Sequence, residues 1–160
     1  MTVVLRDARR GDVADLLRLI RDLARYEKAE DQVKADAQQL AATLFGEGAT
    51  AHAMVAEQDG LIVGLAIYFF NYSTWQGRNG LYLEDLFVEP EQRGAGIGKA
   101  LLARLAALAV ERDCGRFEWS VLDWNTPAID FYEGLGARPQ SEWVRYRLEG
   151  DALKALANTA

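Results

Sequence analysis

The fold is decided by residues 81–99, which read LYLEDLFVEPEQRGAGIGK. Residues 81–88 are apolar enough to predict a central β-strand, and Pro90 ends that strand. A turn with Gly94, Gly96 and Gly98 follows and leads into a helix predicted over residues 96–112. In such a turn the backbone N–H groups crowd around an anion, and the start of the helix adds its positive end. This pattern favours phosphate or pyrophosphate as a ligand.

Two well-known phosphate motifs do not account for this turn. A Walker A loop requires glycine where this chain has Arg93 and Ser or Thr where it has Ala100. A dinucleotide-binding fingerprint requires glycine in place of Lys99. What remains is the pattern Arg-x-x-Gly-x-Gly, and these residues alone leave two interpretations open: an anion site, or a glycine-rich helix start without a ligand.

On either side of this stretch, strand and helix patterns alternate. Strands are predicted over residues 2–6, 52–57, 61–71, 116–122 and 144–148, with Gln58-Asp59-Gly60 as a hairpin turn. Helices are predicted over residues 13–24 behind a cap at Asp12, and over 35–45, 126–135 and 151–157. The fold class is therefore α/β, with a central sheet flanked by helices.

Length and composition place limits on the function. A chain of 160 residues with half of them hydrophobic predicts one domain over residues 1–160. The net charge of −6 disfavours nucleic-acid binding, and the apolar stretches are too short to span a membrane. Cys114 is the sole cysteine, and the N-terminus lacks the apolar segment of a signal peptide, so we expect a cytoplasmic protein. His52 is the sole histidine, which excludes a multi-histidine metal site.

The turn at Arg93 resembles the acyl-CoA pyrophosphate loop of the GNAT family of N-acetyltransferases. Residues 81–88 look like the central strand of that family, and residues 123–137, DWNTPAIDFYEGLGA, are similar to its Asn-x-x-Ala-x-x-Phe-Tyr segment. These motifs occur in the family's order and spacing over residues 3–148. The resemblance implies the GNAT fold, a central mixed and mostly antiparallel twisted sheet flanked by helices, and acetyl-CoA as cosubstrate without a metal.

Several segments look specifically like the diamine (spermidine/spermine-type) and thialysine acetyltransferase branch. They are LARYE at 23–27, DQV at 31–33, the aromatic stretch at 68–75, and DWN at 123–125. The resemblance implies direct acetyl transfer to the primary amine of a small cationic acceptor. It also implies a homodimer.

The roles of individual residues follow from this resemblance. Glu84 would accept the proton of the attacking amine, and Tyr132 would donate one to the leaving thiolate. The donor site would comprise the backbone of Leu86, Phe87 and Val88, the turn residues Arg93, Gly94, Ala95, Gly96, Ile97, Gly98 and Lys99, and Asn125. As an isolated residue, Asn125 would be a helix cap, and Tyr132 a half-buried aromatic.

The acceptor site would combine carboxylates with aromatic walls. We expect it to include Tyr26, Glu27, Asp85, Trp119 and Glu142, with Trp75 as a further possible wall. On a two-residue period, at least one of the neighbours Glu84 and Asp85 must point inward. The segment before Trp143 is shorter than in typical diamine acetyltransferases. Two alternatives stay open: a CoA- or polyamine-sensing module without turnover, and acetylation of another amine such as a peptide or an antibiotic.

Overall fold

Within residues 2–160, which the computed structural model of the chain describes, five strands form one mixed sheet in the order β1-β2-β3-β4-β5. The first four strands pair antiparallel, and β5 runs parallel to β4. Their bounds are β1 Val3–Asp7, β2 Ala51–Gln58, β3 Leu61–Ser73, β4 Arg78–Val88 and β5 Phe117–Trp119. The predicted mixed, mostly antiparallel sheet is therefore confirmed.

The helices lie close to their predicted positions. Their bounds are α1 Val13–Tyr26, α2 Ala37–Phe45, α3 Ile97–Glu111, α4 Thr126–Gly134 and α5 Gly150–Ala157, and short 3₁₀ turns occupy Arg10–Asp12, Glu30–Gln32 and Pro90–Gln92. The predicted hairpin turn is also confirmed, because Asp59 and Gly60 both have positive φ, at 53° and 82°. Asp12 stands at the N-cap position of α1, but its carboxylate accepts from Arg6 and from the backbone of Arg9 instead of capping the helix.

Two compact units make up the chain, residues 1–122 and residues 123–160. The first contains the sheet with α1, α2 and α3, and the second contains α4 and α5. A single domain over residues 1–160 stays a prediction.

The main core lies on one face of the sheet, where α1 packs. Leu16 and Leu19 of α1 are fully buried and join a cluster with side chains from β2, β3 and β4, among them Val55, Leu65 and Phe87. Burying such side chains contributes about 1.5–3 kcal/mol each. Arg18, on the same helix, donates to the carbonyl of Ile62 at 2.9 Å and pairs with Glu89 just after β4, so α1 is tied to both strands.

The register of β4 changes at Glu84. Tyr68 of β3 stands opposite Leu83, whereas its neighbour Ile67 stands opposite Asp85, so Glu84 is an additional residue in β4. The β-bulge reverses the alternation of side chains. Leu83 therefore shares the face of Tyr68, whereas Asp85 shares the face of Ile67, which packs against α1.

Helix α3 covers the other face. A Cβ atom at Gly98 would lie 3.9 Å from Val88, and the guanidinium of Arg112 lies 5.4 Å from the ring centre of Phe70. Both Val88 and Phe70 stand on the face opposite to Asp85 according to the register. The two faces of β4 are therefore covered by different helices, one by α1 and the other by α3.

Two strand predictions are wrong in whole or in part. Residues 144–148 form no strand, and Val144 and Tyr146 are exposed. An alternating pattern specifies a strand only where neighbouring backbone pairs with it and one face is buried, and this segment has neither in the part of the chain that the structure describes. Strand β5 is shorter than predicted and ends at Trp119, because its pairing with β4 stops at Leu83, next to the bulge.

Candidate functional site

Strand β4 has one edge without a strand partner over its last residues. Residues 81–83 pair with β5 on one side and β3 on the other, whereas residues 85–88 pair with β3 alone. An extended chain can bind to such an edge through its amide groups. The predicted donor segment, Leu86 to Val88, lies on this edge, and the carbonyl of Val88 accepts a hydrogen bond from Arg93 Nε at 3.0 Å.

The glycine-rich turn has the conformation of an anion-binding turn. Gly94 and Gly96 have positive φ, at 86° and 80°, and a Cβ atom at either would meet nothing within 4 Å. The 15-residue helix α3 begins directly after Gly96, and its first N–H groups point toward the turn. Ala95 and Lys99 are exposed, whereas the side chain of Ile97, the first residue of α3, is buried. These residues fit a pyrophosphate group.

The two neighbouring carboxylates of β4 have different surroundings. Glu84 lies in the bulge with an exposed side chain, whereas Asp85 is largely withdrawn from water. Burial, assisted by the negative charges of Glu84 and Glu27, raises the pKa of Asp85 to about 6. The inward-pointing member of the pair is therefore Asp85.

The end of α1 contributes the other acidic group. Helix α1 ends at Tyr26, and the chain leaves it through Glu27 and Lys28, which has a φ of 61°. Burial raises the pKa of Glu27, and its charge acts on Asp85. Because the charges of Glu27 and Glu84 both act on Asp85, these three carboxylates form one acidic cluster. Such a cluster would attract a cation.

Arg93 connects the glycine-rich turn with the end of α1. Its guanidinium carbon lies 5.3 Å from the ring centre of Tyr26 and 5.2 Å from that of Phe87. From the sequence, Arg93 is expected at the donor site and Tyr26 at the acceptor site, and a contact between them was not predicted. No local pattern signals a contact between residues this far apart in the chain.

Two aromatic residues predicted as acceptor walls lie elsewhere. Trp119 pairs with Leu83, on the face opposite to Asp85, and its ring lies 5.0 Å from that of Phe117. Trp75 belongs to the turn between β3 and β4 and is 89% exposed. The structure does not bring either residue to the acidic cluster.

The remaining predicted site residues belong to the second unit, residues 123–160. Asn125 caps α4, because its side chain accepts from the backbone N–H of Ala128 at 3.4 Å. Tyr132 lies in α4 with its ring 5.7 Å from that of Phe131. Glu142 is exposed in the segment between α4 and α5.

Two side chains outside the candidate site, Cys114 and His52, are packed within the first unit. Cys114 is half-buried after α3, and burial raises the pKa of its thiol, which disfavours the nucleophilic thiolate. His52 packs against the rings of Tyr68 and Phe70 at 5.4 and 5.9 Å. Over residues 2–160, no helix combines the length and the apolar character that crossing a membrane requires.

Comparison with known proteins identifies the relationship. Residues 14–137 match the sequence profile described as "Acetyltransferase (GNAT) family". The chain is 45% identical to a thialysine N-epsilon-acetyltransferase of Sus scrofa, over 98% of each chain. It is 33% identical to the human spermidine/spermine N(1)-acetyltransferase-like protein 1, over 96% of this chain and 23% of that protein.

Among solved structures, an integron cassette protein of V. cholerae, VCH_CASS6, is similar over the whole fold. The two chains are 31% identical, with a TM-score of 0.82 and 98% of each chain covered. The resemblance predicted from the glycine-rich turn and the central strand is therefore confirmed, including its diamine and thialysine branch.

Proposed function

The chain belongs to the acetyltransferase (GNAT) family and is an N-acetyltransferase, and on that premise we propose that it transfers the acetyl group of acetyl-CoA directly to the primary amine of a small cationic acceptor. The observation that carries the proposal is the bulge at Glu84. Glu84 lies immediately before the one-sided edge of β4 and Asp85 is the first residue on it, and we propose that the thioester binds along this edge. A cationic amine and an acyl donor can therefore meet at one point of the strand.

The donor would be held by two parts of the first unit. Its pyrophosphate would bind the N–H groups at the start of α3, including that of Gly98, with Arg93 and Lys99 as cations, while Gly94 and Gly96 leave room for the phosphates. Backbone groups of Leu86, Phe87 and Val88 would pair with the amide groups of the pantetheine and polarise the thioester carbonyl. We also propose Asn125 as a donor contact, beyond its role as the cap of α4.

Glu84 would remove the proton of the amine, directly or through a water molecule. A lysine-like amine has a pKa of about 10.4, so deprotonating it near pH 7 costs about 4–5 kcal/mol. The exposed carboxylate of Glu84 is accessible to an acceptor that enters from solvent. Its neighbour Asp85 would stabilise the positive charge of the acceptor without having to carry the proton.

Tyr132 would serve as the acid that completes the transfer. The amine nitrogen forms a bond to the acetyl carbon, the bond from that carbon to sulfur breaks, and the tyrosine hydroxyl donates a proton to the departing sulfur. Support for this role comes from the position of Tyr132 in the family motif at residues 123–137. Replacing Tyr132 with Phe should lower turnover and leave acetyl-CoA affinity nearly unchanged.

The acceptor would be a diamine, a polyamine or a thialysine-like amino acid. The acidic cluster of Glu27, Glu84 and Asp85 would attract its ammonium groups, and the exposed ring of Tyr26 would contact its alkyl chain. The names of the relatives, which include thialysine and spermidine/spermine, support this class. Glu142 and Trp119 are also proposed as contributors to the acceptor site.

A panel of amines tests the proposal. Purified protein is incubated with acetyl-CoA and, separately, with putrescine, spermidine, spermine, thialysine, lysine and ornithine, and release of free thiol is measured. We expect release above background with at least one cationic amine. Release with none of them would refute the proposal. Tight acetyl-CoA binding in that case would indicate a sensing module, and transfer to a peptide alone would indicate a protein acetyltransferase.

We further propose that the protein is a cytoplasmic homodimer that binds neither nucleic acid nor membrane. The exposed apolar side chains of Trp143, Val144, Tyr146 and Leu148 support an association with a second copy, since apolar patches of this kind mark interaction surfaces. The net charge of −6 supports the absence of nucleic-acid binding. Light scattering should give twice the monomer mass, and a monomeric mass would refute the dimer.

A further inference from the structure

The side chain of Arg93 forms three contacts, and they involve two different elements. Its Nε donates to the carbonyl of Val88 at 3.0 Å, and its guanidinium lies against the buried ring of Phe87; both partners belong to β4. The same guanidinium lies 5.3 Å from the ring centre of Tyr26, the last residue of α1. Arg93 therefore joins the end of α1 to β4.

The contacts use only part of the guanidinium. The hydrogen bond to Val88 uses Nε, and the rings of Tyr26 and Phe87 lie 5.3 and 5.2 Å from the guanidinium carbon. Within residues 2–160 its terminal nitrogens donate no hydrogen bond that the structure shows. They remain available to an anion, and an arginine can bind phosphate through these nitrogens while its face stays against an aromatic ring.

Tyr26 is the more exposed of the two aromatic partners of Arg93. Phe87 is 5% exposed and fixed in the core, whereas Tyr26 is 41% exposed, and Glu27 and Lys28 follow it as the chain leaves the helix. The contact with Arg93 restricts how far the end of α1 can move from β4. It thereby restricts the position of Glu27 relative to Asp85, whose pKa is affected by the charge of Glu27.

We propose that Arg93 is a positioning residue that couples the two substrate sites: donor phosphate bound to its terminal nitrogens fixes the guanidinium, and the fixed guanidinium holds Tyr26 and Glu27 in the acceptor-binding position. The inference rests on the proposed function, because it takes the glycine-rich turn as the donor site. A cation–π contact at an exposed site of this kind predicts a coupling factor of roughly two- to fivefold. By linkage, donor and acceptor raise each other's affinity by the same factor.

One test follows the end of α1 without any acceptor. Hydrogen exchange is measured for the peptide covering residues 24–33, with and without CoA, in the wild type and in the Tyr26→Leu and Tyr26→Phe variants. The Lys28 and Ala29 amides report on this region, because they donate to the carbonyls of Arg25 and Ala24. CoA should slow their exchange roughly two- to fivefold in the wild type and in Tyr26→Phe, and should not slow it in Tyr26→Leu.

A second test measures the coupling itself by calorimetry. The affinities for spermidine and for thialysine are determined with and without saturating CoA, which binds the donor site but has no acetyl group to transfer. The wild type and Tyr26→Phe should show tighter amine binding with CoA, and Tyr26→Leu should show a ratio of one. The matched control is Tyr72→Leu, since Tyr72 is also an exposed tyrosine but lies on β3 near the turn; this variant should keep the wild-type ratio.

The outcomes separate this inference from the proposed function. If acetyl transfer to an amine occurs but Tyr26→Leu keeps the wild-type ratio and protection, the coupling by Arg93 is refuted and the function stands. A second outcome is that no amine is acetylated, but CoA still slows hydrogen exchange of residues 24–33 in the wild type and not in Tyr26→Leu. In that case the proposed function is refuted, and the link between Arg93 and Tyr26 stands. Equal loss of coupling in Tyr26→Phe and Tyr26→Leu would also refute the inference, because both rings present a π-face.

Discussion

Strand β4 has two consecutive parts that differ in strand pairing and in burial. Residues 81–83 pair with strands on both sides, and Leu81 and Leu83 are almost completely buried. Residues 85–88 pair on one side only, and they follow the bulge residue Glu84; the carboxylate of Glu84 is exposed, whereas that of Asp85 is largely buried. The first part stabilises the sheet, and the second part has the one-sided backbone and the charge that the proposed function requires.

This difference depends on a single additional residue. Up to Leu83 the strand pattern follows a two-residue period, and β5 can pair with it. Pairing with β5 stops at Leu83, directly before the bulge at Glu84, so within residues 2–160 residues 85–88 have a strand partner on one side only. A strand can therefore combine stability and reactivity if the two are separated along its length.

The largest expected effect is a loss of turnover in the Glu84→Gln variant, in the second part of β4. Glutamine keeps the size of the side chain but cannot accept a proton, so turnover should fall by about 10²–10⁴. The free energy of unfolding should change by no more than about 0.5 kcal/mol, because the side chain is exposed. Steady-state kinetics and urea denaturation measure the two quantities.

The matched control for Glu84→Gln is Glu118→Gln on β5. Glu118 pairs with Arg116 at 2.9 Å on the neighbouring strand, outside the predicted site. Its replacement should leave turnover within about twofold of the wild type, since this partly exposed ion pair lies outside the proposed catalytic residues. Equal turnover in the two variants would show that Glu84 is not the base.

Leu81→Ala should produce the opposite pattern in the stable part. Leu81 is fully buried, so its truncation leaves a cavity and should lower the free energy of unfolding by about 2–5 kcal/mol. Urea denaturation measures this loss, and the folded fraction should keep its affinity for acetyl-CoA. Leu61→Ala is the control, because Leu61 is 68% exposed and its loss should cost less than about 0.5 kcal/mol. Similar losses in both variants would contradict the division of β4.

A smaller, pH-dependent effect is expected from Asp85→Asn. The pKa of Asp85 is raised from 3.8 to about 6 in the fold, so the folded protein binds more protons than the unfolded chain between these values. The contribution of Asp85 to the free energy of unfolding should therefore fall as the pH rises from 3.8 to about 6, and this cost remains at higher pH. Asp85→Asn removes the cost, so the variant should melt higher than the wild type at pH 7 but not at pH 4.

Thermal melts over this pH range measure the effect, with Asp113→Asn as the control. The side chain of Asp113 is 88% exposed, so its variant should follow the wild-type profile. The same titration should affect function, because a protonated Asp85 attracts a cationic acceptor less strongly. Acceptor affinity should fall in the wild type as the pH drops through about 6, and a pH-independent affinity would exclude Asp85 from the acceptor site.

Much of the first unit was predictable because its signals are local. The Asp59-Gly60 turn, Pro90 at the end of the central strand and the glycine-rich helix start each act on their immediate neighbours, and the structure confirms them. The strand predicted at residues 144–148 failed because a strand requires a partner that its own residues do not specify. Residues 144–148 do alternate, but this pattern does not specify which strand the segment would pair with.

The site was predictable in its chemistry and only partly in its geometry. The adjacent acids at 84 and 85 indicated that one carboxylate points inward, and burial identifies it as Asp85. A period-two pattern cannot show which face that carboxylate joins, because the bulge reverses the faces. The contact of Arg93 with Tyr26 and the position of Trp119 depend on packing between distant segments, which motif spacing does not encode.

The additional residue in β4 also makes the site depend on chain length. Deleting Glu84 would restore strict alternation, and every residue from Asp85 to Val88 would exchange faces. The carboxylate of Asp85 would then enter the layer under α3, and the ring of Phe87 would leave the core beneath α1. A substitution at this position should preserve the fold, whereas the loss of one residue would invert the second half of the strand.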